Sequence, residues 1–301
     1  MTYDWRGDPP KGREKIDSRG TSAEPSGRNS TEPTGAPVLS LVFPAFNEAE
    51  NLPRLLESAL SIGHGLDLDF EIIIVDDGSQ DRSAELLAAA GGRDRRIRVV
   101  EHAANQGYGA ALRSGLREAR GEFVFFSDAD LQFDLAEIRH LLEFAGEFQI
   151  VAGYRAPRRD PWIRRAIAAV WGGLVRILFD LQIRDIDCAF KLFHRDVLDA
   201  IPIESIGAFV NTEILARARA AGFAIKQVPV SHRPRRSGRQ TGAHPRVILR
   251  AIVELSQLYG ELRAPLKQRR LSRRKIGKIE LPERLEETSA SPSMGPLGLS
   301  R

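Results

Sequence analysis

A single cysteine, Cys188, in 301 residues leaves no partner for an internal disulfide. The fold must therefore close on apolar packing, and the composition suits a reducing cytoplasm. No segment reaches the roughly 18 consecutive apolar residues that a membrane-spanning helix needs. The longest charge-free helical candidate, "AIAAVWGGLV" at 166–175, is too short. The amino terminus shows neither a basic-then-apolar signal pattern nor a cleavage site. The expectation is a soluble or peripheral cytoplasmic protein with no transmembrane helix. Gly-x-Gly-x-x-Gly and Gly-x-x-x-x-Gly-Lys-[Ser/Thr] loops are both missing, which weighs against phosphate binding by backbone amides alone. His232 and His244 have no second His or Cys at ligand spacing, so both read as structural or loop residues.

What is present is an alternating α/β pattern between two polar ends. Residues 1–36 are rich in Gly, Pro, Ser, Thr and charge, with almost no apolar period, and read as a disordered tail. Order begins with an apolar run at 38–43, followed by a helix opened by Asn47 to Asn51 and bearing Leu52, Leu55, Leu56 and Leu60. Strand-turn-helix units recur at "FEIIIVDDGSQDRSAELLAAA", "IRVVEHAANQGYGAALRSGLREAR" and "EFVFFSDADLQFDLAEIRHLLEFA". Continuous apolar strands alternating with helices predict a mostly parallel sheet covered on both faces. Beyond a strand at 149–155, the pattern predicts a helix with Ile163, Ile167, Val170, Trp171, Leu174, Ile177 and Leu178 on one face. A strand at 188–193, a helix at 211–221, a strand within "AIKQVPVSH" and a helix at about 245–260 complete the reading. The domain then spans 37–260, divided at 155 into a donor-side and an acceptor-side half. Residues 261–301 form a polybasic tail, expected to be disordered, in which 262–278 carry many Lys and Arg and no acid.

Ligands of open parallel sheets bind beyond the carboxyl ends of the strands. That rule gathers "PAFNE" at 44–48, "DDGS" at 76–79, "NQGYG" at 105–109 and "DADLQ" at 128–132. Three of these turns carry acids, and close carboxylates repel and raise one another's pKa unless a cation sits among them. Mg²⁺ or Mn²⁺ fits, since such ions take oxygen ligands, keep waters and bridge to substrate phosphates. Asp128 and Asp130, directly after a buried strand, with Gln132 as a further oxygen donor, are the candidate ligands. Asp134, before "LAEI", reads instead as a helix cap.

"FPAFNEAENL", "EIIIVDDGSQDRS", "NQGYGAALRSGL" and "FSDADLQ" together resemble the nucleotide-binding half of a family 2 glycosyltransferase with the GT-A, Rossmann-like fold. The subgroup they most resemble moves a sugar from a nucleotide to a polyprenyl phosphate, as dolichol-phosphate mannose synthases do. The resemblance covers about residues 38–250. It implies a metal-dependent, inverting transfer of a hexose from a UDP or GDP donor. It implies that Pro44, Phe46 and Glu48 line the nucleoside pocket and that Asp76 and Asp77 hold base or ribose. Asp128 and Asp130 would be the Asp-x-Asp pair, with Gln132 completing the metal site. The bland reading makes Glu48 a first-turn acid and Phe46 a core residue.

"RDIDCAFKLFHRDVL" resembles the family's Asp before Gly-Phe-[Lys/Arg], with Asp185 at that position, Ala189 in place of Gly and Asp187 as an extra acid. A hydroxyl acceptor would require a base, for which Asp187 or Glu213 stand as candidates. A phosphate acceptor, with a second pKa near ~6, needs cations instead. Arg155, Arg164 and Arg165 are placed to bind it, and the resemblance supports Arg155. "SHRPRRSGRQTG" at 231–242 resembles the loop that closes over the donor pyrophosphate, with Arg233 and Arg236 as the phosphate contacts. Trp162, Trp171 and flanking Arg on the helix at 162–179, with the basic tail, suggest an interface with the inner membrane face. The same stripe could cover the sheet or a homo-oligomer partner. A non-catalytic binding protein is the rival from another class; no nucleic acid is expected, since no aromatic-basic RNA surface is present.

Overall fold

A computed structural model describes residues 37–156, 162–234 and 245–263, with side chains at 162–168, 245–250 and 263 left out of the description. Residues 1–36 and 264–301, Arg236, His244 and the side chains of Trp162, Arg164 and Arg165 therefore lie outside the described residues, while 261–263, expected in the tail, end the helix Pro245–Arg263.

Seven strands form one sheet: β1 (Leu39–Ala45), β2 (Phe70–Asp76), β3 (Ile97–Glu101), β4 (Phe123–Ser127), β5 (Ile150–Arg155), β6 (Phe190–His194) and β7 (Ile225–Val230). Their order across the sheet is β3-β2-β1-β4-β6-β5-β7. Every residue of β1, β2 and β4 is buried, which is why these strands read as unbroken apolar runs rather than alternating ones. The helices are α1 (Leu52–Gly65), α2 (Ser83–Arg93), α3 (Tyr108–Glu118), α4 (Ile138–Leu142), α5 (Trp162–Phe179), α6 (Arg195–Ala200), α7 (Val210–Ala221) and α8 (Pro245–Arg263). The α/β class and mostly parallel sheet match the expectation.

One strand runs against the rest. β6 is antiparallel to both β4 and β5, whereas β1–β2, β2–β3, β1–β4 and β5–β7 pair in parallel. Reversing β6 lets β5 and β7 point the same way as β1 to β4. The carboxyl ends of six strands thus share one edge with the loop that enters β6. In register, Ser127 faces Phe190, so that loop lies beside Asp128. Aromatic rings weld this join. Phe125 meets Phe190 edge-on at 4.7 Å between centroids, and Phe126 stacks on Phe193 at 5.9 Å. Such pairs add about 0.5–1.5 kcal/mol each beyond their burial.

Two local expectations change. Residues 47–51 form a turn, not helix, because Asn47 takes φ 56°, and α1 starts only at Leu52 with Pro53 in its first turn. On α5 the expected single apolar face splits. Val175 is fully buried and Trp171 packs edge-on against Phe209, while Val170 and Ile177 are 76% and 80% exposed. The rotation follows from Trp171 packing on Phe209, at the head of α7, and from the burial of Val175, which turns Val170 and Ile177 outward.

Candidate active site

The turn after β4 is built around its own acids. Asp130 is buried and accepts from the Gln132 amide at 3.1 Å, and Leu131 between them takes φ 59°. A left-handed residue with a branched side chain costs about 1–3 kcal/mol, a strain that functional turns commonly carry. Asp134 caps the 3₁₀ turn at 135–137 by accepting from the Ala136 amide, as expected. It also accepts from Arg233 at 2.7 Å.

Segment 231–233 is stitched to this turn. The Arg233 amide donates to the Gln132 carbonyl at 2.7 Å, and the Gln132 side-chain amide donates to the Arg233 carbonyl at 3.1 Å. Ser231 donates to Glu137 from both its amide and its hydroxyl. The root of the basic loop therefore stands beside Asp128 and Asp130. His232 packs its ring against Phe133, in keeping with a structural role.

On the β1 and β2 side, carboxylates hold loops. Both oxygens of Asp77 are engaged: Oδ1 by the His102 ring at 2.7 Å and the Gln106 amide at 2.9 Å, Oδ2 by the Gly107 amide at 2.9 Å. Asp76 accepts from the Ser79 amide at 3.0 Å. Glu48 lies before the helix rather than in its first turn. It is buried and accepts from the Asn51 side chain at 2.5 Å. Pro44 is buried inside β1, opposite Val75, whereas Phe46 is 41% exposed just past the strand and is not core. Of the residues expected to line a nucleoside pocket, Phe46 is thus the one presented to solvent.

The glycines of "NQGYG" explain themselves here. Gly107 takes φ 102°, and a Cβ on Gly109 would lie 2.6 Å from the carbonyl oxygens of Ser205 and Gly207. The Gly109 amide donates to the Ile206 carbonyl at 3.0 Å. Backbone from the chain's second half thus meets this turn with no room for a side chain. Tyr108, between the two glycines, was not singled out from the sequence. Its ring lies beside Asp128, and burial first, then the Asp128 charge, push its phenol well above the ordinary pKa. The signal was an aromatic residue inside an otherwise polar, glycine-rich turn.

Across β4, Arg155 at the end of β5 makes a bidentate pair with Asp185, Nε at 2.6 Å and Nη2 at 2.8 Å. Asp187 is exposed two residues further on. Glu213 is buried and fully occupied. It accepts from the amides of Glu204 and Ser205 and from Arg217 at 2.9 Å. These bonds brace the 204–207 loop.

Could these residues hold a divalent ion? Among the described residues, no three His, Cys, Asp or Glu side chains converge on one point. Mg²⁺ does not need such a cage, since it binds through one or two carboxylates plus substrate phosphates and water. Among the described residues, the buried hydroxyl of Ser127, directly before Asp128, has no hydrogen-bond partner. Buried polar atoms of that kind mark a polar ligand's place. The donor set fits the ion.

The glycosyl transferase family 2 pattern matches residues 40–201, more than half of the chain. The chain belongs to this family. This family 2 glycosyltransferase is 33% identical over 223 residues to glycosyltransferase AglD of Haloferax volcanii, covering 70% of this chain and 36% of AglD. It is 32% identical over 204 residues to the undecaprenyl-phosphate 4-deoxy-4-formamido-L-arabinose transferase of Edwardsiella ictaluri, covering 66% and 61%. The chain thus spans less than two thirds of the length of either relative. Glucosyl-3-phosphoglycerate synthase of Mycobacterium tuberculosis, solved with Mg²⁺ and UDP, shares the fold at TM-score 0.59. The match has 22% identity and covers 74% of this chain and 80% of that one. The sheet and helices are those of a GT-A fold.

Proposed function

We propose that this glycosyltransferase moves a hexose from a UDP- or GDP-linked donor to a polyprenyl phosphate, with inversion at the anomeric carbon. The observation that carries the reading is one shared edge. It sets the Asp128–Asp130 turn, the root of the basic loop and Arg155 side by side. The Edwardsiella relative, named for an undecaprenyl-phosphate acceptor, supports the choice of acceptor.

In this reading an acceptor phosphate oxygen attacks the anomeric carbon. The bond from that carbon to the diphosphate breaks, and the diphosphate leaves with the electron pair. Inversion takes a single displacement, so no covalent protein nucleophile is required. Asp128 and Asp130, with Gln132, would hold Mg²⁺ or Mn²⁺, which when bound neutralises the departing diphosphate. Arg233, beside them, and Arg236 would add cationic contacts to the same oxygens. Arg155 presents the acceptor phosphate, and Asp185 holds the guanidinium in place. A phosphate is already ionised at neutral pH, so no base is needed. Glu213, bound by two amides and Arg217, is poorly suited to be one; for hydroxyl transfer, Asp187 remains.

Donor contacts fall to Phe46, Glu48, Asp76 and the loop that Asp77 organises. Among the described residues, no helix is long and apolar enough to cross a membrane. The exposed Val170, Leu174 and Ile177 of α5, with Ile252 and Val253 of α8 and the basic stretch after it, fit peripheral contact with an anionic lipid surface.

The test is transfer of radiolabelled sugar from a panel of UDP- and GDP-sugars in vesicles containing polyprenyl phosphate, with and without Mg²⁺ or Mn²⁺. Metal-dependent label in the organic extract supports the reading. Label confined to the aqueous phase sinks it and points to hydroxyl transfer or donor hydrolysis, in which Asp187→Asn should lose turnover.

A further inference from the structure

Lys191 is the second residue of β6, with 1% of its surface exposed. An ammonium is strongly hydrated, so lysine is seldom buried unless its protons find acceptors. Here they do. Nζ donates to the carbonyl of Ile186 at 3.0 Å, to the carbonyl of Cys188, and to Asn211 Oδ1 at 3.0 Å. It also stands 5.4 Å from the centre of the Phe126 ring. Two of the acceptors belong to the loop entering β6 and the third to the first turn of α7. The same loop carries Asp185, which grips Arg155, and the exposed Asp187.

We propose that Lys191 is a positioning residue for the acceptor side, clamping the 185–188 loop to α7 and so fixing Asp185 and the Arg155 guanidinium. The inference rests on the reading of Arg155 as the acceptor-phosphate ligand. An ammonium suits this task because it brings three protons to three neutral oxygens, which no other side chain of its length and shape does. Burial lowers the Lys191 pKa, and the neighbouring Cys188 and the carboxylates of Asp185, Asp187 and Asp128 oppose that shift. Strand hydrogen bonds alone would hold β6. They would not hold the loop, whose carbonyls at 186 and 188 turn inward to the lysine.

Cys188 offers a direct readout. It is the chain's sole cysteine, it is fully buried inside the clamped loop, and burial raises its thiol pKa to about 12. A small thiol reagent therefore reaches it only when the loop opens. Lys191→Met keeps the stem and removes all three bonds, and Asn211→Ala removes one and serves should the first variant fail to fold. Expected is Cys188 labelling faster by about ten- to a hundredfold, the scale of lost buried hydrogen bonds, with unchanged far-ultraviolet circular dichroism. The acceptor KM should rise by more than donor-nucleotide affinity falls, since Lys191 reaches the donor-side Asp128 only through its charge. Labelling at the wild-type rate in the folded variants overturns the clamp, as does donor affinity falling in step with the acceptor. If wild-type protein transfers nothing to lipid phosphate, the functional reading fails, and the labelling rates alone decide the clamp.

Discussion

The two sides of the sheet use charge differently. In the turns after β2 and β4, acids accept from backbone amides, whereas Glu71, Asp94 and Glu118 elsewhere on this side pair with arginines. Asp77 holds Gln106 and Gly107, Asp76 holds Ser79, Asp81 holds Ala49 and Ser83, and Asp130 holds Gln132. Around β5 to α8, the acids also pair with arginine side chains, beside the amide bonds that Glu213 and Asp185 accept. Arg155 meets Asp185, Arg217 meets Glu213 and Glu261, and Arg219 meets Asp180. Acids bonded to amides set loop shape and tolerate little change. Of these pairs, Arg219–Asp180 reaches solvent and contributes little, whereas Arg155–Asp185 and Arg217–Glu213 are largely buried. In the proposed reading, the first side would hold the donor and the second would receive the acceptor phosphate.

This contrast can be broken by mutation. The largest effect is expected at the acid turn. Asp130→Ala should reduce sugar transfer by about 10²–10³-fold, the scale of losing one transition-state charge partner, as measured by initial rates at saturating donor. Next comes Asp77→Asn. It weakens three buried bonds to a charged acceptor, so stability should fall by about 2–3 kcal/mol in urea unfolding, with donor affinity falling too. An equal loss of acceptor affinity would blur the two sides.

The join between the sides is the third target. Gly109→Ala places a methyl 2.6 Å from two carbonyl oxygens of the 204–207 loop. A cost of about 1–3 kcal/mol is expected from overpacking, read as a lower thermal midpoint. The smallest effect is expected on α5. Val170→Ser with Ile177→Ser should change stability by no more than about 0.5 kcal/mol, since both residues are exposed. Binding to anionic vesicles in a sedimentation assay should nevertheless weaken. Unchanged sedimentation would remove α5 from the membrane contact.

Much of the first side was legible because its signals are local. Unbroken apolar runs mark β1, β2 and β4, and polar turns follow them directly. Asp134 announced itself as a cap by its place before an apolar turn. The reversal of β6 was not legible, because "FKLFH" is short and reads the same as a strand in either direction. Asp77 was expected to face a ligand, yet its partners His102, Gln106 and Gly107 lie 25 to 30 residues away in sequence. Glu213 suggested a base for the same reason. Its bonds to the 204–205 amides depend on how that loop folds back, and only Arg217, one helical turn on, was visible beforehand. Lys191 read as the basic position of the Gly-Phe-[Lys/Arg] segment, and its burial became meaningful once Ile186, Cys188 and Asn211 surrounded it.

The measurement that bears most directly on the central claim separates donor from acceptor in one variant. Arg155→Ala should bind donor nucleotide with metal as wild type does, within about twofold by calorimetry. Its transfer of labelled sugar to polyprenyl phosphate should fall by about 10²-fold or more, as expected for losing a charged contact to the reacting phosphate. Wild-type transfer by Arg155→Ala, or equal loss of nucleotide binding and transfer, would contradict the account.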